Sequence, residues 1–349
     1  MKKILIVVSS FQALGGVSNH HIGLKPYWKN EIMYEFYGKR KGLPAYVLFP
    51  FDLLKYIFKL FLKKIDIVLI NPSFRKYQLF RDGLYLMFGK LFNKKIITFI
   101  HGWDDQLAES NLKKHGLFKH IYNKSDLIYV LCDEFKIKLI KMGINSPILL
   151  TTTKVSDFLI EDFDISNKNG TINTLLFLGR IEKNKGIFET IDTFNILKRK
   201  FPKLKLFVVG DGGALSKAKK KVKDCQINDI YFVGRKMNKE IIPFFKNSDL
   251  YILPSYGEGM PTSILESMAF GLPIISRPLG GLNDFFEEDK MGHLIESNNP
   301  IHFANKIEDL IHNPKKTKDI SVYNHYYAKK HFLASSVAKK IESDISNIL

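Results

Sequence analysis

Two carboxylates lie in one short stretch of this chain, SYGEGMPTSILESMAFG, which covers residues 255–271. Glu258 sits in a glycine-flanked loop, and Glu266 follows eight positions later in a segment whose apolar residues have helical spacing. Pro261 is expected at the first helical position, where its fixed φ and its missing N–H cost least. The preceding run, SDLYILPS, is typical of a buried strand. Strand, glycine loop and helix N-terminus together predict an anion site, because free backbone N–H groups and the helix dipole point at one spot.

The two carboxylates indicate what this anion would be attached to. A carboxylate beside a phosphate is unfavourable because both groups are negatively charged. Glu258 and Glu266 are therefore expected to accept hydrogen bonds from hydroxyl groups. A phosphate group together with several hydroxyls describes a nucleotide sugar. Strand–loop–helix junctions and pairs of surface glutamates also occur in α/β domains that bind nothing, so this interpretation needs support from the rest of the chain.

Two cations follow an earlier predicted strand, in the loop FLGRIEKNKG of residues 177–186. Arg180 and Lys185 lie just beyond the carboxyl end of that strand and five positions apart. They would neutralise a diphosphate, the guanidinium by a forked contact and the ammonium as a point charge. An ordinary solvated basic loop is the alternative for either residue taken alone.

Other loops after predicted strands bring further groups to the same edge of their sheets. Arg235 lies in the run YFVGRK, at the end of a predicted strand. Gly15 and Gly16 lie in the loop after the first strand, and His101 directly follows the strand IITFI. His101 could equally be a structural hydrogen-bonding group. The run LFVVGDGG lacks the G-x-G-x-x-G spacing, so no nicotinamide site is predicted. The run HGWDDQ offers no third ligand at a readable spacing, so no metal site is predicted.

The charge of the chain is strongly and unevenly basic. The formal net charge is +18, and residues 1–150 carry 24 Lys and Arg against 11 Asp and Glu. Lysine supplies 46 of the 53 basic residues, which does not favour base readout by nucleic-acid-binding proteins. The segment Phe51–Ile65 repeats lysine at positions 55, 59 and 63, which predicts either a solvated stripe on a domain helix or a helix attracted to an anionic membrane surface.

Strands and helices alternate along the chain in two blocks. Residues 3–8, 65–71, 95–100, 127–131, 147–150, 174–178, 204–209, 230–233, 248–255 and 273–276 are the predicted strands. Residues 51–64, 112–123, 134–142, 188–200, 215–223, 239–246 and segments from 301 onward are the predicted helices. This alternation predicts an α/β chain with two Rossmann-like, doubly wound domains that face each other across a cleft, with ligands at the carboxyl ends of the strands.

The predicted domain boundaries follow from this rhythm. Residues 1–155 would form the acceptor-binding domain, 156–172 an acidic and Asn-rich linker, and 173–325 the nucleotide-sugar-binding domain. Residues 326–349 would be helices that pack back toward the first domain. The two cysteines, Cys132 and Cys225, match no metal or redox spacing and are expected to be reduced thiols of a cytosolic protein.

As a set, these motifs resemble family 4 of the retaining glycosyltransferases, which have the GT-B fold. The runs GR…KG, GDG, SDLYILPS and E-G-x-P-x-x-x-L-E-x-M-A-x-G-x-P-I-I carry the resemblance through most of the second domain. In the first domain it rests only on GGV near the N-terminus and on the His-Gly after a strand. Two departures concern the donor sugar: Met260 stands where many members have an aromatic residue, and Asp284 where a glutamate is usual.

The resemblance implies a role for each matching residue. Arg180 and Lys185 would hold the donor diphosphate, Glu266 the nucleotide ribose, and Glu258 with the following backbone the sugar and the distal phosphate. His101 would contact the sugar near its reacting carbon. The expected catalytic residues are His101, Glu258, Arg180 and Lys185. The expected donor-binding residues are Gly15, Gly16, Arg180, Lys185, Arg235, Glu258, Gly259, Met260, Pro261, Thr262 and Glu266.

The resemblance also implies the reaction. A hexose or N-acetylhexosamine would pass, with retention and without a metal or cofactor, from a nucleoside diphosphate sugar to a saccharide or a polyisoprenyl-linked saccharide. A UDP-sugar is a more expected donor than a GDP-sugar. The expected process is the synthesis of a cell-surface polysaccharide, such as lipopolysaccharide or capsule. The expected location is cytoplasmic, at the inner face of the cell membrane, with no nucleic-acid partner. A nucleotide-sugar epimerase or hydrolase on the same fold, and a non-enzymatic basic module that binds membrane or nucleic acid, stay open as alternatives.

Overall fold

The computed structural model describes residues 1–12, 15–40, 42–113 and 117–348, and its strands form two parallel sheets of six strands each. The chain divides into two compact units. The first consists of Met1–Lys154 with Ala334–Leu349, and the second of Val155–Leu333. Each sheet lies in one unit and has its own hydrophobic core, as expected when a chain of this length exceeds a single core.

The first unit contains a sheet with the strand order β2-β1-β3-β4-β5-β6. Its strands are β1 Lys3–Ser9, β2 Glu31–Tyr37, β3 Ile67–Ile70, β4 Lys95–Phe99, β5 Leu127–Val130 and β6 Ile148–Leu150. Its helices are α1 Gly16–Leu24, α2 Ala45–Leu62, α3 Lys76–Leu91, α4 Asp105–Lys113, α5 Leu117–Tyr122 and α6 Asp133–Lys141. Strand β2 is added on one side of β1, whereas β3 to β6 are added in turn on the other side. The strand order therefore reverses between β1 and β3.

The second unit contains a sheet with the strand order β12-β11-β10-β7-β8-β9. Its strands are β7 Thr174–Leu178, β8 Lys205–Val209, β9 Ile230–Gly234, β10 Leu250–Leu253, β11 Ile274–Ser276 and β12 Gly292–Leu294. Its helices are α7 Ile187–Lys200, α8 Leu215–Asp224, α9 Ile242–Lys246, α10 Thr262–Ala269, α11 Leu282–Phe285, α12 Pro300–Ile311 and α13 Pro314–His331. The order reverses between the neighbouring strands β7 and β10.

The central strands form because they are short and almost wholly apolar. In β3, the sequence IVLI is buried at all four positions, and β10, LYIL, is buried in the same way. Strands covered by helices on both faces need such continuous apolar runs, and β-branched residues favour the extended conformation. The predicted α/β class with two doubly wound parallel sheets is therefore confirmed.

The segment 156–172, predicted as a linker, is built into the second unit. Leu159, Ile160 and Ile172 belong to that unit's core. Lys168 is buried and donates from Nζ to the backbone carbonyls of Lys246, at 3.0 Å, and of Ser248. Burial lowers the pKa of Lys168 to about 8. The polar composition that suggested a linker thus belongs to a segment with its own apolar anchors and backbone contacts.

The C-terminal helices divide between the units. Helix α13 packs against α10 of the second unit, whereas α14, Ala334–Ile348, packs against α1 of the first. Glu342 on α14 accepts hydrogen bonds from the backbone N–H groups of Lys29, at 2.7 Å, and Asn30, at 2.8 Å. The return to the first unit therefore begins at Ala334 and not at residue 326.

Several elements were not predicted from the sequence. Strand β2, EIMYEFY, is an edge strand with partly exposed side chains, so its polar residues hide the strand pattern. Strand β12 is short, and the helices α1, α3 and α4 were missed as well. Part of the predicted helix 112–123 lies outside the described residues, and the chain forms α5 over Leu117–Tyr122. No helix in the described part of the chain is both long and apolar enough to cross a membrane.

Candidate functional site

The loops that follow β7 and β10 lie side by side at the carboxyl edge of the second sheet. These two strands are hydrogen-bonded neighbours, and the strand order reverses between them. Such a reversal leaves a crevice beyond the strand ends, because the connections that follow the two strands leave the sheet in opposite directions. Arg180 and Lys185 follow β7, and Glu258 follows β10. The topology therefore brings together the cations and the carboxylate that the sequence singled out.

Lys185 and Glu258 form an ion pair at this reversal. The Nζ of Lys185 lies 2.5 Å from Oε1 of Glu258, and the two side chains are only 15% and 12% exposed. Arg180, by contrast, is exposed. The low exposure strengthens the electrostatic interaction relative to a surface pair. One cation is therefore fixed next to a carboxylate, while the other is free to reach outward.

Two glycines allow the loops of this edge to approach each other closely. Gly186 has φ +75°, and a Cβ atom there would lie 2.2 Å from the carbonyl oxygen of Pro254. Gly280 has φ +50°, and a Cβ atom there would lie 2.3 Å from the carbonyl oxygens of both Glu258 and Gly259. No side chain fits at such distances, and left-handed φ favours glycine. The loop that carries Glu258 is thereby held from two sides.

The loop of Glu258 leads into α10 one residue later than predicted. Pro261 has φ −73° and ψ 106° and is the N-cap, so the helix begins at Thr262. Glu266 is the fifth residue of α10 and is half-buried. An extended ψ at Pro261 lets the chain turn into the helix while the backbone of Gly259 and Met260 stays in the loop. Met260 packs against the core of the second unit.

A buried tyrosine joins α10 to the strands beneath it. The hydroxyl of Tyr251 on β10 donates to the Leu178 carbonyl, at 2.8 Å, and lies 2.7 Å from Oγ of Ser263. Burial raises the pKa of Tyr251 well above its usual range, so this hydroxyl stays protonated. It therefore fixes the first turn of α10 relative to the end of β7. This contact could not be predicted from the sequence, because a tyrosine within an apolar strand has the appearance of a core residue.

Two other predicted groups follow β8 and β9. The GDGG run after β8 lies against the loop of Arg180, since the Gly213 N–H donates to Oε1 of Glu182 at 2.9 Å. Arg235 follows β9 and is exposed. Both lie at the same edge of the sheet, with β8 next to β7 and β9 beyond it.

Gly15, Gly16 and His101 belong to the first unit. Gly16 opens α1 with Gly15 as its N-cap, both are exposed, and a Cβ atom at either position would meet nothing within 4 Å. His101 follows β4 and is half-buried. Asp104, in the run HGWDDQ for which no metal site is predicted, accepts a hydrogen bond from the Leu107 backbone N–H at 3.0 Å and so helps to begin α4.

An asparagine bridges two histidines at the carboxyl edge of the first sheet. Asn71, directly after β3, lies with Oδ1 2.8 Å from Nε2 of His21 and 2.9 Å from Nε2 of His101. His20 packs edge-on against both imidazole rings, with centroid distances of 5.3 Å. None of these three partners of His101 was predicted from the sequence. The His-His pair shortly after a glycine loop was the one signal in the sequence.

Burial keeps these histidines uncharged at neutral pH. It lowers the pKa of His101 well below its ordinary value, and repulsion by His21 lowers it further. The pKa of His21 falls to about 4, although its hydrogen bond to Asn71 raises it in part. His20 is affected in the same direction, by burial first and then by His101, His21 and Lys154. The cluster is therefore neutral at pH 7.

Known proteins resemble this chain both in sequence and in fold. Residues 160–326 match the family model for glycosyl transferases group 1. An uncharacterized glycosyltransferase of Methanocaldococcus jannaschii is 27% identical over 245 residues, which are 70% of this chain and 66% of that protein. The amylovoran biosynthesis glycosyltransferase AmsK of Erwinia amylovora is 25% identical over 214 residues, 59% of this chain and 52% of that protein.

The crystal structure of Anabaena Alr3699/HepE in complex with UDP and glucose has the same fold. It superposes with a TM-score of 0.75 at 17% identity, covering 99% of this chain and all of that one. The sequence matches to the two curated relatives span just under two thirds and about half of their lengths. Residues 160–326 are therefore similar to the glycosyl transferases group 1 family, and the chain has a GT-B type of fold.

Proposed function

We propose that this protein is a retaining glycosyltransferase that uses a nucleoside diphosphate sugar, with UDP-sugars as the preferred donors. It would move a hexose or N-acetylhexosamine to a saccharide or lipid-linked saccharide acceptor in cell-surface polysaccharide synthesis. Relatives named for polysaccharide synthesis and a structural neighbour that binds UDP and glucose support this choice. The first unit, 1–154 with 334–349, would hold the acceptor.

The ion pair of Lys185 and Glu258 beside Arg180 is the observation that carries the proposal. A diphosphate next to a lone carboxylate would be repelled. With Lys185 held 2.5 Å from Glu258, the carboxylate is already neutralised, and a diphosphate can approach the ammonium and the exposed Arg180. Glu258 then keeps an oxygen with which to accept a hydrogen bond from a sugar hydroxyl. The site thus suits an anion and a polyol together.

The same groups suit the chemistry of glycosyl transfer. The bond between the anomeric carbon and the phosphate oxygen breaks, so negative charge grows on the leaving diphosphate. Arg180, Lys185 and the backbone N–H groups at the start of α10 would stabilise that charge, and preorganised groups of this kind contribute several kcal/mol. No protein carboxylate needs to form a covalent bond. The acceptor oxygen would attack from the face that the phosphate leaves, and the departing phosphate would take the acceptor's proton.

The other predicted residues of the second unit would extend the donor site, and those of the first unit would have roles of the same kind. Glu266, near the first turn of α10, would accept from the ribose hydroxyls, and the backbone of Gly259–Thr262 would contact the distal phosphate. Arg235, after β9, would reach the nucleotide from the same edge. Gly15 and Gly16 leave the start of α1 open to a phosphate, and His101 would accept from a sugar hydroxyl. Exposure of Arg180, Arg235, Gly15 and Gly16 is consistent with these roles.

Transfer with retention in the absence of metal is the expected activity. Purified protein incubated with UDP-glucose, UDP-galactose or UDP-N-acetylglucosamine and a polyisoprenyl-linked saccharide should release UDP and form a glycoside. The product should keep the anomeric configuration of the donor, as measured by the proton coupling constants in NMR spectra. EDTA should change the rate by less than about twofold, since cationic side chains supply the charge stabilisation that a metal would give.

The alternatives give different results in the same assay. An epimerase or hydrolase converts the donor in full without any acceptor. A non-enzymatic basic module binds vesicles or nucleic acid with a steep salt dependence and shows no saturable response to a nucleotide sugar. A tenfold loss of rate in EDTA, or a product with inverted configuration, would reject the metal-independent retaining mechanism.

We further propose that α2 and α3 place this enzyme on an anionic membrane surface, where a lipid-linked acceptor would be found. On α2, Phe51, Leu54, Phe58, Phe61 and Leu62 are between 53% and 74% exposed. On α3, Tyr77, Phe80 and Leu91 are at least half exposed. Exposed aromatic and aliphatic side chains concentrated on two helices mark an interaction surface. These eight residues are called the apolar face below.

The charges around the apolar face favour an anionic lipid over another protein. The sequences of α2 and α3 contain one carboxylate each, Asp52 and Asp82. Both are fully buried and paired with arginines, Asp52 with Arg40 and Asp82 with Arg81. Lys55 and Lys76 are exposed on the two helices. A surface that presents apolar groups and cations, with its carboxylates turned inward, is complementary to anionic headgroups.

The lysine stripe predicted from the sequence is only partly turned to solvent. Lys59 forms an ion pair with Glu35 at 2.6 Å and donates to the Tyr34 carbonyl at 2.8 Å, so it is directed at β2. Lys55 and Lys63 are exposed. The outward side of α2 is thus mainly apolar. This could not be recognised from the sequence, because the lysines repeat every four residues as on a charged face.

Carboxylates introduced into the apolar face should abolish vesicle binding. Flotation with phosphatidylglycerol vesicles should recover the native protein, and the double variant Phe58→Asp/Phe61→Asp should bind at least tenfold more weakly. Each phenyl group inserted among acyl chains contributes about 2 kcal/mol. Tyr326→Asp, at a similarly exposed aromatic on α13, is the matched control and should bind normally. Equal binding of the double variant, or of the native protein to purely zwitterionic vesicles, would contradict the proposal.

A further inference from the structure

A tyrosine in the loop after β10 is tied to the loop after β7 by both its backbone and its side chain. The backbone N–H of Tyr256 donates to the carbonyl of Asn184 at 2.9 Å. Its hydroxyl donates to Oε1 of Glu189, on α7, at 2.6 Å. This hydrogen bond raises the pKa of Tyr256 above its ordinary value, so the hydroxyl stays protonated at neutral pH. The side chain of Tyr256 thus connects two elements that lie 67 positions apart in the sequence.

The partner of this tyrosine is held on a rigid element and depends on it for a hydrogen bond. Glu189 lies in the first turn of α7, where Ile187 and Ile191 are fully buried in the core of the second unit. Oε2 of Glu189 is buried without a hydrogen-bond partner among the described residues, and there the Tyr256 hydroxyl is the one donor to its other oxygen. A carboxylate with one buried oxygen and a single donor holds that donor firmly, because its loss would leave the charge with no partner.

The hydrogen bond closes a ring of residues that contains the ion pair of the candidate site. Lys185 lies four positions before Glu189 along the chain, and Tyr256 lies two positions before Glu258. Glu258 returns to Lys185 through the ion pair at 2.5 Å. Lys185 and Glu258 are therefore joined to each other twice, once directly and once through Glu189 and Tyr256.

Glu258 needs support of this kind because a glycine stands on each side of it. Gly257 and Gly259 have more backbone freedom than other residues. A Cβ atom at Gly257 would meet nothing within 4 Å, so no neighbour restrains the backbone there. Tyr256 is therefore the first residue before Glu258 whose side chain fixes the path of the loop.

A guanidinium restrains the same tyrosine at its ring. Arg277 directly follows β11, and its guanidinium carbon lies 5.5 Å from the centroid of the Tyr256 ring. Its Nη1 donates to the Ser255 carbonyl at 3.4 Å, and its Nη2 to the Glu296 carbonyl at 3.2 Å. A cation at this distance attracts the face of the ring. Tyr256 is thus held both at its ring and at its hydroxyl.

We infer that Tyr256 is a positioning residue for the proposed transfer, which holds Lys185 and Glu258 in place for the leaving diphosphate through its hydrogen bond to Glu189. This inference rests on the proposed function and adds a residue that needs no contact with the donor. Negative charge on the diphosphate grows only in the transition state. A misplaced ammonium therefore lowers kcat more than it weakens donor binding.

Hydrogen exchange tests the tie between the two loops without reference to activity. In Tyr256→Phe, mass spectrometry should show exchange about threefold faster or more in both segments, 182–187 and 254–260, because the two loops open together. Tyr231→Phe is the matched control and should leave both segments unchanged. Tyr231 is 42% exposed against 41% for Tyr256, and its hydroxyl lies 3.1 Å from Oδ1 of Asp229. Unchanged exchange in Tyr256→Phe, or faster exchange in only one segment, would overturn the inference.

Steady-state kinetics separate positioning from contact with a substrate. Tyr256→Phe should lower kcat by about tenfold and leave the donor KM within about twofold of native. Glu189→Leu should have the same effect, and the double variant should be no slower than either single variant, because each change opens the same ring. Glu189→Gln keeps an acceptor oxygen for the hydroxyl and should stay within about threefold of the native kcat. Tyr231→Phe should keep the native kcat.

Three kinetic results would contradict a positioning role. A slow Tyr256→Phe beside a Glu189→Leu of native rate would mean that the hydroxyl touches a substrate. Losses that multiply in the double variant would mean that the two residues act separately. A raised donor KM at unchanged kcat would mean a role in binding. If the native protein transfers no sugar from any donor, the proposed function fails, whereas hydrogen exchange still decides whether Tyr256 ties the two loops together.

Discussion

The Lys185→Ala variant is expected to lose glycosyl transfer by about 100- to 1000-fold in kcat, the range found when one preorganised donor to a developing negative charge is removed. Lys185 is the cation most firmly placed at the reversal between β7 and β10. Its side chain is 15% exposed, and its ammonium lies 2.5 Å from Oε1 of Glu258. A group held in place in this way does not need to reorganise while the diphosphate leaves, so its stabilisation acts fully in the transition state.

Loss of this ammonium also exposes the diphosphate to a carboxylate. Glu258 is only 12% exposed and would then stand unpaired next to the leaving group. The loss in Lys185→Ala therefore combines a missing attraction with a new repulsion. Adding Glu258→Gln to Lys185→Ala should relieve the repulsion, so the double variant should be faster than the product of the two single effects predicts.

Lys183→Ala is the matched control for this experiment. Lys183 lies in the same short 3-10 turn, Lys183–Lys185, but is exposed. Its replacement should change kcat and KM for the donor by less than about twofold, as for most surface substitutions. Steady-state rates with a UDP-sugar and circular dichroism spectra of all variants separate chemistry from folding. Equal rates for the two single-alanine variants would place the diphosphate elsewhere.

The fold and the placement of the charged loops could largely be predicted from the sequence. Strand β7 is a short apolar run that ends before Gly179, so its end can be read from the sequence, whereas β10, predicted over 248–255, spans only Leu250–Leu253. Thr174–Leu178 agrees with the prediction at both ends. Since all strands of a parallel sheet end at one edge, the residues that follow them can be placed without knowing the strand order. The binding roles of Arg180, Lys185 and Glu258 stay predictions.

The rest depends on contacts between segments that are distant in the sequence. The bridge from Asn71 to His21 and His101 joins residues 50 and 30 positions apart, and no local pattern marks the asparagine. The apolar side of α2 could not be recognised either, because Lys59 finds its partner Glu35 on β2, an edge strand that the sequence conceals. The segment 156–172 has a polar composition but is fixed by three apolar residues and one buried lysine. Tertiary contacts decided each of these cases.

The Gly280→Ala variant is expected to remove most activity although the residue has no side chain to contact a substrate. A Cβ atom at this position would lie 2.3 Å from the carbonyl oxygens of Glu258 and Gly259, and the backbone has φ +50°. Left-handed strain and overpacking together should lower the free energy of unfolding by roughly 3 kcal/mol. The clash can be relieved only by movement of the loop that carries Glu258, because Gly280 itself is buried.

Such a movement should act on the reaction through position alone. The Gly281 N–H donates to the Gly259 carbonyl at 2.7 Å, so a displaced Gly280 pulls on the backbone between Glu258 and the start of α10. A displacement of about 1 Å at reacting groups costs on the order of 100-fold in rate. We therefore expect Gly280→Ala to lower kcat by about 100-fold at a temperature where the variant is still folded.

Gly257→Ala separates the effect of this contact from the effect of any glycine replacement nearby. Gly257 lies in the same loop, next to Glu258, and a Cβ atom there would meet nothing within 4 Å. Its replacement should leave the free energy of unfolding almost unchanged and kcat within about twofold of the native value, because the added methyl group fills open space and needs no unusual φ. Urea unfolding and donor kinetics on both variants give the comparison. If Gly257→Ala is the more damaging of the two, or if Gly280→Ala keeps native kcat, the loop is not held by Gly280, and the position of Glu258 depends on its other contacts.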